Sequence, residues 1–213
     1  LSLPKASGNG IQVDIANPTF GFAGLLADQF SKNTGGTKPL LTTYNGAVEA
    51  WRFSDGDEAY LTYHIPHDYV AGTDVYLHIH WSQTYDSCTG GTIDMKYSAI
   101  YAKGHNQTSG SVFGPATPIT DTFSSIDIND GNGGLNQYQQ HLTEAIISAA
   151  TATLALFDRD DFEPDGAIEL TFEMVTNSLT GVAVTDPFIH YVDLHYQTTG
   201  LIGTKNKVPD FYA

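Results

Sequence analysis

The chain has 213 residues and a formal net charge of −15, from 24 acidic and 9 basic side chains. Phosphate groups require clustered lysine and arginine, so this balance argues against nucleic acid and against membranes as partners. Only 15% of the residues are charged, compared with roughly 25% in ordinary soluble domains. Such a weakly charged surface favours broad contacts with other proteins, and the length is sufficient for one large domain.

Cys88 is the only cysteine, which excludes an intrachain disulfide and a thiolate metal cluster. We therefore expect assembly in a reducing compartment. The first residues lack a charged start and a long apolar core, so we expect no signal peptide. No run of about 18 apolar residues predicts a membrane-spanning helix.

The two ends of the chain differ from its middle. Residues 1–39 show little strand pattern, and residues 199–213 are polar, contain glycine and end in aromatics. We assign residues 1–39 to an N-terminal arm and residues 199–213 to a C-terminal arm, because such segments are often ordered only on a partner. A helix is plausible at two places, over residues 23–30 and 147–152.

Short alternating runs separated by turns predict strands from residue 46 onward. The best hairpin joins residues 46–54 to 58–65. Further strands are predicted over residues 74–82, 93–103, 119–128, 137–146, 153–157, 168–175 and 188–197. Eight to ten strands with no βαβ pattern predict an all-β fold. We expect a jelly-roll-like β-sandwich over residues 40–198.

Four of the eight histidines fall between residues 64 and 80. His78 and His80 are two apart in a predicted strand, so both imidazoles face the same side. Two neutral imidazoles on one face can begin a metal site, and they can equally line a polar seam between sheets or subunits. We favour the seam and therefore expect no catalytic residue, no metal and no cofactor.

The alternative is a cupin-type metal-dependent enzyme. His78 and His80 match the opening half of the cupin metal motif, and Asp86 stands one position late for the carboxylate of that motif. His190 or His195 would add a third imidazole, and such a donor set suits a transition metal. On a regular strand these two histidines face opposite sides, so only one could join. The alternative metal set is His78, His80 and His195.

Several phrases of the sequence, taken together, resemble a group of tailed-bacteriophage and prophage virion proteins. They are His-Ile-Pro-His-Asp-Tyr from residue 64, Gly-Thr-Asp-Val-Tyr-Leu-His-Ile-His-Trp from residue 72, Leu-Phe-Asp-Arg-Asp from residue 156 and Asp-Leu-His-Tyr-Gln from residue 193. The resemblance extends in patches over residues 46–205. It implies a structural protein of the particle, a jelly-roll decoration (cement) protein that binds and stabilises the major capsid protein shell.

The resemblance brings no catalytic residues with it, so the chain is not expected to be an enzyme. It implies a position on the capsid surface after assembly in the host cytoplasm. A homotrimer is the expected oligomer, because capsid lattices offer threefold points where a closed trimer fits. A third possibility keeps the protein in the virion but places it in the tail, as a connector or a glycan-binding tip. Aromatic side chains clustered in an exposed cleft would favour that position.

Overall fold

The computed structural model describes residues 21–26, 31–32, 35, 37–85, 88–104, 112–125, 136–149, 157–181 and 184–198. All regular secondary structure in these residues is β-strand. Within the same residues, no helix is long and apolar enough to cross a membrane. The strands are β1 (Gly21–Leu26), β2 (Ser31–Lys32), β3 (Leu40–Asn45), β4 (Val48–Arg52), β5 (Glu58–His64), β6 (Val75–Ser82), β7 (Cys88–Gly90), β8 (Ile93–Ala102), β9 (Gly114–Ser125), β10 (His141–Ile146), β11 (Ser148–Ala149), β12 (Phe157–Asp158), β13 (Ala167–Asn177), β14 (Thr180–Gly181) and β15 (Phe188–Thr198).

Eight of these strands form the two layers of a jelly roll. One layer has the order β10-β6-β15-β4 and the other the order β5-β13-β8-β9, with every neighbouring pair antiparallel. This interleaved order is that of the eight-stranded jelly roll. β3 and β1 complete a six-stranded sheet, and β2 completes a five-stranded sheet. The predicted all-β, jelly-roll-like sandwich is confirmed.

The core lies between the two sheets, and the two-residue period of each strand determines which side chains enter it. Alternate residues of β6, β8 and β13 are almost fully buried in one hydrophobic cluster, whose members on these strands are Val75, Leu77, Ile79, Trp81, Ile93, Met95, Tyr97, Ala99, Ile168, Leu170, Phe172 and Met174. Burying each large apolar side chain contributes about 1.5–3 kcal/mol to folding. The intervening residues of β6 consequently face away from the core.

The two plausible helices are not formed where the chain is described. Residues 21–26 form β1, which pairs antiparallel with β15 over six residues. β11 occupies the start of the second segment and pairs in parallel with β12. Pairing with a neighbouring strand outweighs the weak local helix preference of these short segments. Residues 27–30 and 150–152 lie outside the described residues.

The N-terminal segment contributes to the sandwich. β1 and β2 both belong to residues 1–39 and pair with β15 and β5, so the sheets begin before residue 40. The predicted strand over residues 137–146 starts later than expected, at His141, because a turn with Tyr138 at a φ of 60° precedes it. The remaining arm assignments, residues 1–20 and 199–213, lie outside the described residues.

Gly91 provides a test of backbone packing beside β8. Its φ is 94°, and a Cβ built on it would lie 2.0 Å from the Ser178 carbonyl oxygen. We expect Gly91→Ala to lower the free energy of unfolding by at least about 2 kcal/mol, from backbone strain and this clash. Urea denaturation measures the loss.

The matched control is Gly46→Ala in the turn between β3 and β4. Gly46 has a φ of 58°, also left-handed, but no atom lies within 4 Å of a Cβ built there. The control therefore reports the conformational cost alone, about 1 kcal/mol. Equal losses in the two variants would contradict the role assigned to the Ser178 contact.

Candidate functional site

The side of the six-stranded sheet that faces away from the core carries a cluster of histidines and carboxylates. On β6 this side presents His78 and His80, because the residues on either side of each point into the core. Residues directly opposite each other on paired antiparallel strands share a face. We call this surface the outer face. Its residues are Phe22, Gly24, Leu26, Tyr76, His78, His80, Leu142, Glu144, Ile146, Tyr191, Asp193 and His195.

Strand register brings the charged members of the outer face together. Asp193 of β15 and Glu144 of β10 lie opposite His78 from its two sides, forming one row across three strands. His195 lies in the next row, opposite Tyr76. One ligand atom from each of His78, His80 and Asp193 can be chosen so that all three lie within 4.8 Å of one another. These residues come from two strands that are far apart in sequence.

His78 is held by Glu144. Its Nε2 lies 2.6 Å from Glu144 Oε2, while the imidazole is largely buried and the carboxylate is half exposed. The other ring nitrogen of His78, Nδ1, is buried and has no hydrogen-bond partner. When Nε2 donates its hydrogen to the carboxylate, Nδ1 is left with a free lone pair.

His80 is fixed in place by two neighbours. Its ring stacks on Tyr191 with the ring centroids 4.1 Å apart and the planes 19° from parallel. Its Nδ1 lies 2.8 Å from Gln140 Nε2. Its Nε2 lies 3.2 Å from Asp193 Oδ1, within ion-pair distance, but the N–H direction is not aligned for a regular hydrogen bond.

Asp193 sits between two imidazoles. Its carboxylate is almost fully buried, with Oδ1 beside His80 and Oδ2 3.1 Å from His195 Nε2. The rings of His78 and His195 lie 3.8 Å apart. Burial lowers the pKa of His80 from its ordinary value, and the two neighbouring histidines act in the same direction, against the Asp193 carboxylate. The lowered pKa favours the neutral imidazole, which has one ring nitrogen free to accept.

The structure brings together the three histidines of the alternative metal set, His78, His80 and His195. His190 lies apart from them, with Nε2 2.7 Å from Ser82 Oγ and its ring against Tyr44. Burial lowers the pKa of His190, and His80 lowers it further.

One prediction about these histidines is wrong, and the predicted carboxylate ligand lies outside the described residues. His190 and His195 were expected to face opposite sides, but a register shift between Ile189 and Tyr191 turns both outward. The expectation failed because a bulge adds one residue and changes the alternation. Asp86 lies outside the described residues. Sequence reasoning missed Asp193 and Glu144, the carboxylates that do reach the cluster.

Apolar side chains surround the cluster and are exposed. Five large hydrophobic residues of the outer face are between 37% and 63% exposed, namely Phe22, Leu26, Leu142, Ile146 and Tyr191. The outer face as defined above contains no lysine or arginine. Large apolar side chains exposed together on one face of a sheet are typical of protein–protein contacts.

The opposite side of the sandwich has a groove of about 270 Å³ on the outward side of the five-stranded sheet. Tyr60 is the one aromatic residue in its described lining, which also includes Ile100, Pro118 and Glu169. Aromatic side chains clustered in an exposed cleft would favour a glycan-binding tip, and the described lining of this groove holds a single aromatic ring.

No family model matches the chain, and no curated protein matches it. Among solved structures, the CBM22-1 xylan-binding domain of Paenibacillus barcinonensis Xyn10C is 8% identical with a TM-score of 0.37, covering 84% of this chain and 96% of that chain. A family 35 carbohydrate-binding module from Clostridium thermocellum is 8% identical with a TM-score of 0.36, covering 82% and 97%. The mannan-recognising module TmCBM27 is 11% identical with a TM-score of 0.27, covering 83% and 89%. At these scores the likenesses carry no functional argument, and the jelly-roll assignment rests on the strand order.

Proposed function

We propose that this chain is a non-catalytic structural protein of a tailed-bacteriophage virion, a decoration protein that binds and stabilises the major capsid protein shell. The exposed apolar outer face is the observation that carries the proposal. Phe22, Leu142 and Ile146 are exposed to water in a single chain. Burying them against another subunit would contribute favourable hydrophobic free energy to association. The sequence resemblance described above supplies the kind of assembly.

In this proposal the outer face is the contact between subunits of a homotrimer. Association between copies must overcome a net charge of −15 on each chain. The outer face adds little to that repulsion, because only two of its twelve residues, Asp193 and Glu144, are carboxylates. Closed symmetric oligomers are the usual arrangement of identical chains, and a trimer matches the threefold points of a capsid lattice.

Residues 1–20 and 199–213 are proposed to reach the capsid. With the outer face covered by neighbouring copies, these segments remain as candidates for contact with the shell. Attachment then stabilises the assembled shell by mass action, since a ligand that binds only the assembled state shifts the equilibrium toward that state. The place of action is the capsid surface, after assembly in the host cytoplasm.

Co-sedimentation with expanded capsids that lack a decoration protein tests this function. The full chain is expected to pellet with the shells, and a variant lacking residues 199–213 is expected to bind them at least about 10-fold more weakly. The deletion variant should keep the urea denaturation midpoint of the full chain, because it removes none of the strands described above.

Tyr60→Ala, on the outward side of the five-stranded sheet, serves as the control and should bind capsids like the unaltered chain. Full binding by the deletion variant would contradict the role of the C-terminal arm. Failure of the full chain to bind shells, or binding to purified tails instead, would overturn the decoration function.

A further inference from the structure

Three buried polar atoms in neighbouring side chains of the outer face make no aligned hydrogen bond. They are His78 Nδ1, His80 Nε2 and Asp193 Oδ1. Buried polar atoms are nearly always paired, so three unpaired ones from adjoining residues require a physical reason. The same three residues offer ligand atoms that lie within 4.8 Å of one another. A cation bound between these three side chains would supply the partner that each of them lacks.

Glu144 prepares His78 for such a role. The carboxylate accepts a hydrogen bond from His78 Nε2 at 2.6 Å, which selects the tautomer whose lone pair is on Nδ1. Histidines that ligate a metal commonly donate their other ring hydrogen to a carboxylate, and this contact fixes ring orientation and raises basicity. Nδ1 is the buried, unpaired atom, so the arrangement at His78 is that of a carboxylate-oriented metal ligand.

Gln140 and Tyr191 restrain His80 in a similar way. The Gln140 amide nitrogen is 2.8 Å from His80 Nδ1, and Tyr191 stacks on the ring. Rotating the amide by half a turn places its oxygen at the same position, where it accepts a hydrogen bond from Nδ1. Nε2 then carries the lone pair, beside Asp193 Oδ1.

Gly24 of β1 has no side chain, which leaves room for the neighbouring side chains of the cluster. It lies opposite His195 of β15, and a Cβ built on Gly24 would be 3.1 Å from Asp193 Oδ2 and 3.4 Å from His195 Nε2. Any larger residue would crowd these two side chains. His195 Nε2 lies 3.1 Å from the Asp193 carboxylate, which makes His195 the candidate for a fourth ligand beside the other three residues.

We propose that His78, His80, Asp193 and His195 bind one divalent transition-metal ion of the zinc class. Three imidazoles and one carboxylate are nitrogen-rich donors, which suit Zn²⁺ and its neighbours and do not suit Ca²⁺ or Mg²⁺. Four protein ligands close the coordination shell, as in structural zinc sites. The ion joins β6 to β15 within one chain, independently of the proposed capsid function.

Zinc binding by the full-length protein, stripped with a chelator and measured by equilibrium dialysis, tests the site. The unaltered chain is expected to bind one Zn²⁺ per chain. Asp193→Asn keeps the shape of the side chain but removes its charge, and is expected to weaken binding at least about 100-fold. Glu144→Gln removes the negative charge from the contact that positions His78 and is expected to weaken zinc binding about 10-fold to 100-fold.

His64→Gln is the matched control. His64 also contacts a carboxylate, with Nε2 2.7 Å from Asp165 Oδ1, but it lies on the five-stranded sheet. This variant should bind zinc as the unaltered chain does. Replacing Zn²⁺ by Co²⁺ gives a second readout, because the visible absorption of Co²⁺ reports nitrogen ligation and a four-coordinate shell, and Glu144→Gln should perturb that spectrum.

A dissociation constant weaker than about 100 µM for the unaltered chain would overturn the site. Unchanged affinity in Asp193→Asn, or an equal loss in His64→Gln, would overturn it too. Urea denaturation without metal checks that Asp193→Asn folds. If that variant does not fold, Glu144→Gln decides, since its side chain is half exposed and its replacement leaves the core intact.

Discussion

The double variant Leu142→Lys, Ile146→Lys is expected to be monomeric at concentrations where the unaltered chain is a trimer. Both side chains are exposed on β10, at 46% and 41%, so the folded subunit tolerates lysine at either position. In an assembled outer face both ammonium groups would lose their water, and Glu144, which lies between them on β10, is already engaged with His78. An uncompensated buried charge costs about 3–5 kcal/mol, which lowers the association constant by two to four orders of magnitude, roughly tenfold for each 1.4 kcal/mol.

Sedimentation velocity across a concentration series measures this change. Tyr60→Lys is the control, because Tyr60 is 42% exposed, similar to Leu142, but belongs to the five-stranded sheet. The control is expected to remain a trimer. A double variant that sediments as the unaltered trimer would show that the outer face is not the subunit contact.

Phe172→Ala is expected to cause a large loss of stability, about 3–5 kcal/mol. Phe172 lies on β13, has no exposed surface and packs edge-on against Phe53, with the ring centroids 5.7 Å apart. Removing the ring leaves a cavity between the two sheets, and the loss approaches the whole stability of a small domain, about 5–15 kcal/mol. Urea denaturation of the unaltered and variant chains gives the difference.

Val112→Ala is the control for this core variant. Val112 is 82% exposed, and its truncation is expected to change the free energy of unfolding by less than about 0.5 kcal/mol. A loss below about 1 kcal/mol for Phe172→Ala would contradict the single core between the two sheets.

The alternation of apolar and polar residues along the strands allowed the fold class to be predicted from the sequence. The pattern along β6 predicted that His78 and His80 share one face, and the structure places both on the outer face. Regular turns between short strands predicted the jelly-roll-like sandwich. β1 was missed because Gly-Phe-Ala-Gly-Leu-Leu lacks alternation, and its strand conformation depends on pairing with β15.

The carboxylates of the cluster could not be predicted for a different reason. Asp193 reaches His78 only because β15 pairs with β6 in one particular register, and sequence spacing does not determine the register between distant strands. The shift between Ile189 and Tyr191 further changes which side chains face outward. Asp193 and His195 stand two apart on β15, and that spacing is the one local signal that they share a face.

Native mass spectrometry of the purified full-length protein at micromolar concentration tests the central claim, that the outer face joins copies of this chain, most directly. We predict one dominant species at three times the chain mass of 23.0 kDa. A spectrum dominated by a species at the mass of a single chain would contradict that claim and leave the exposed apolar residues of the outer face without the subunit contact assigned to them.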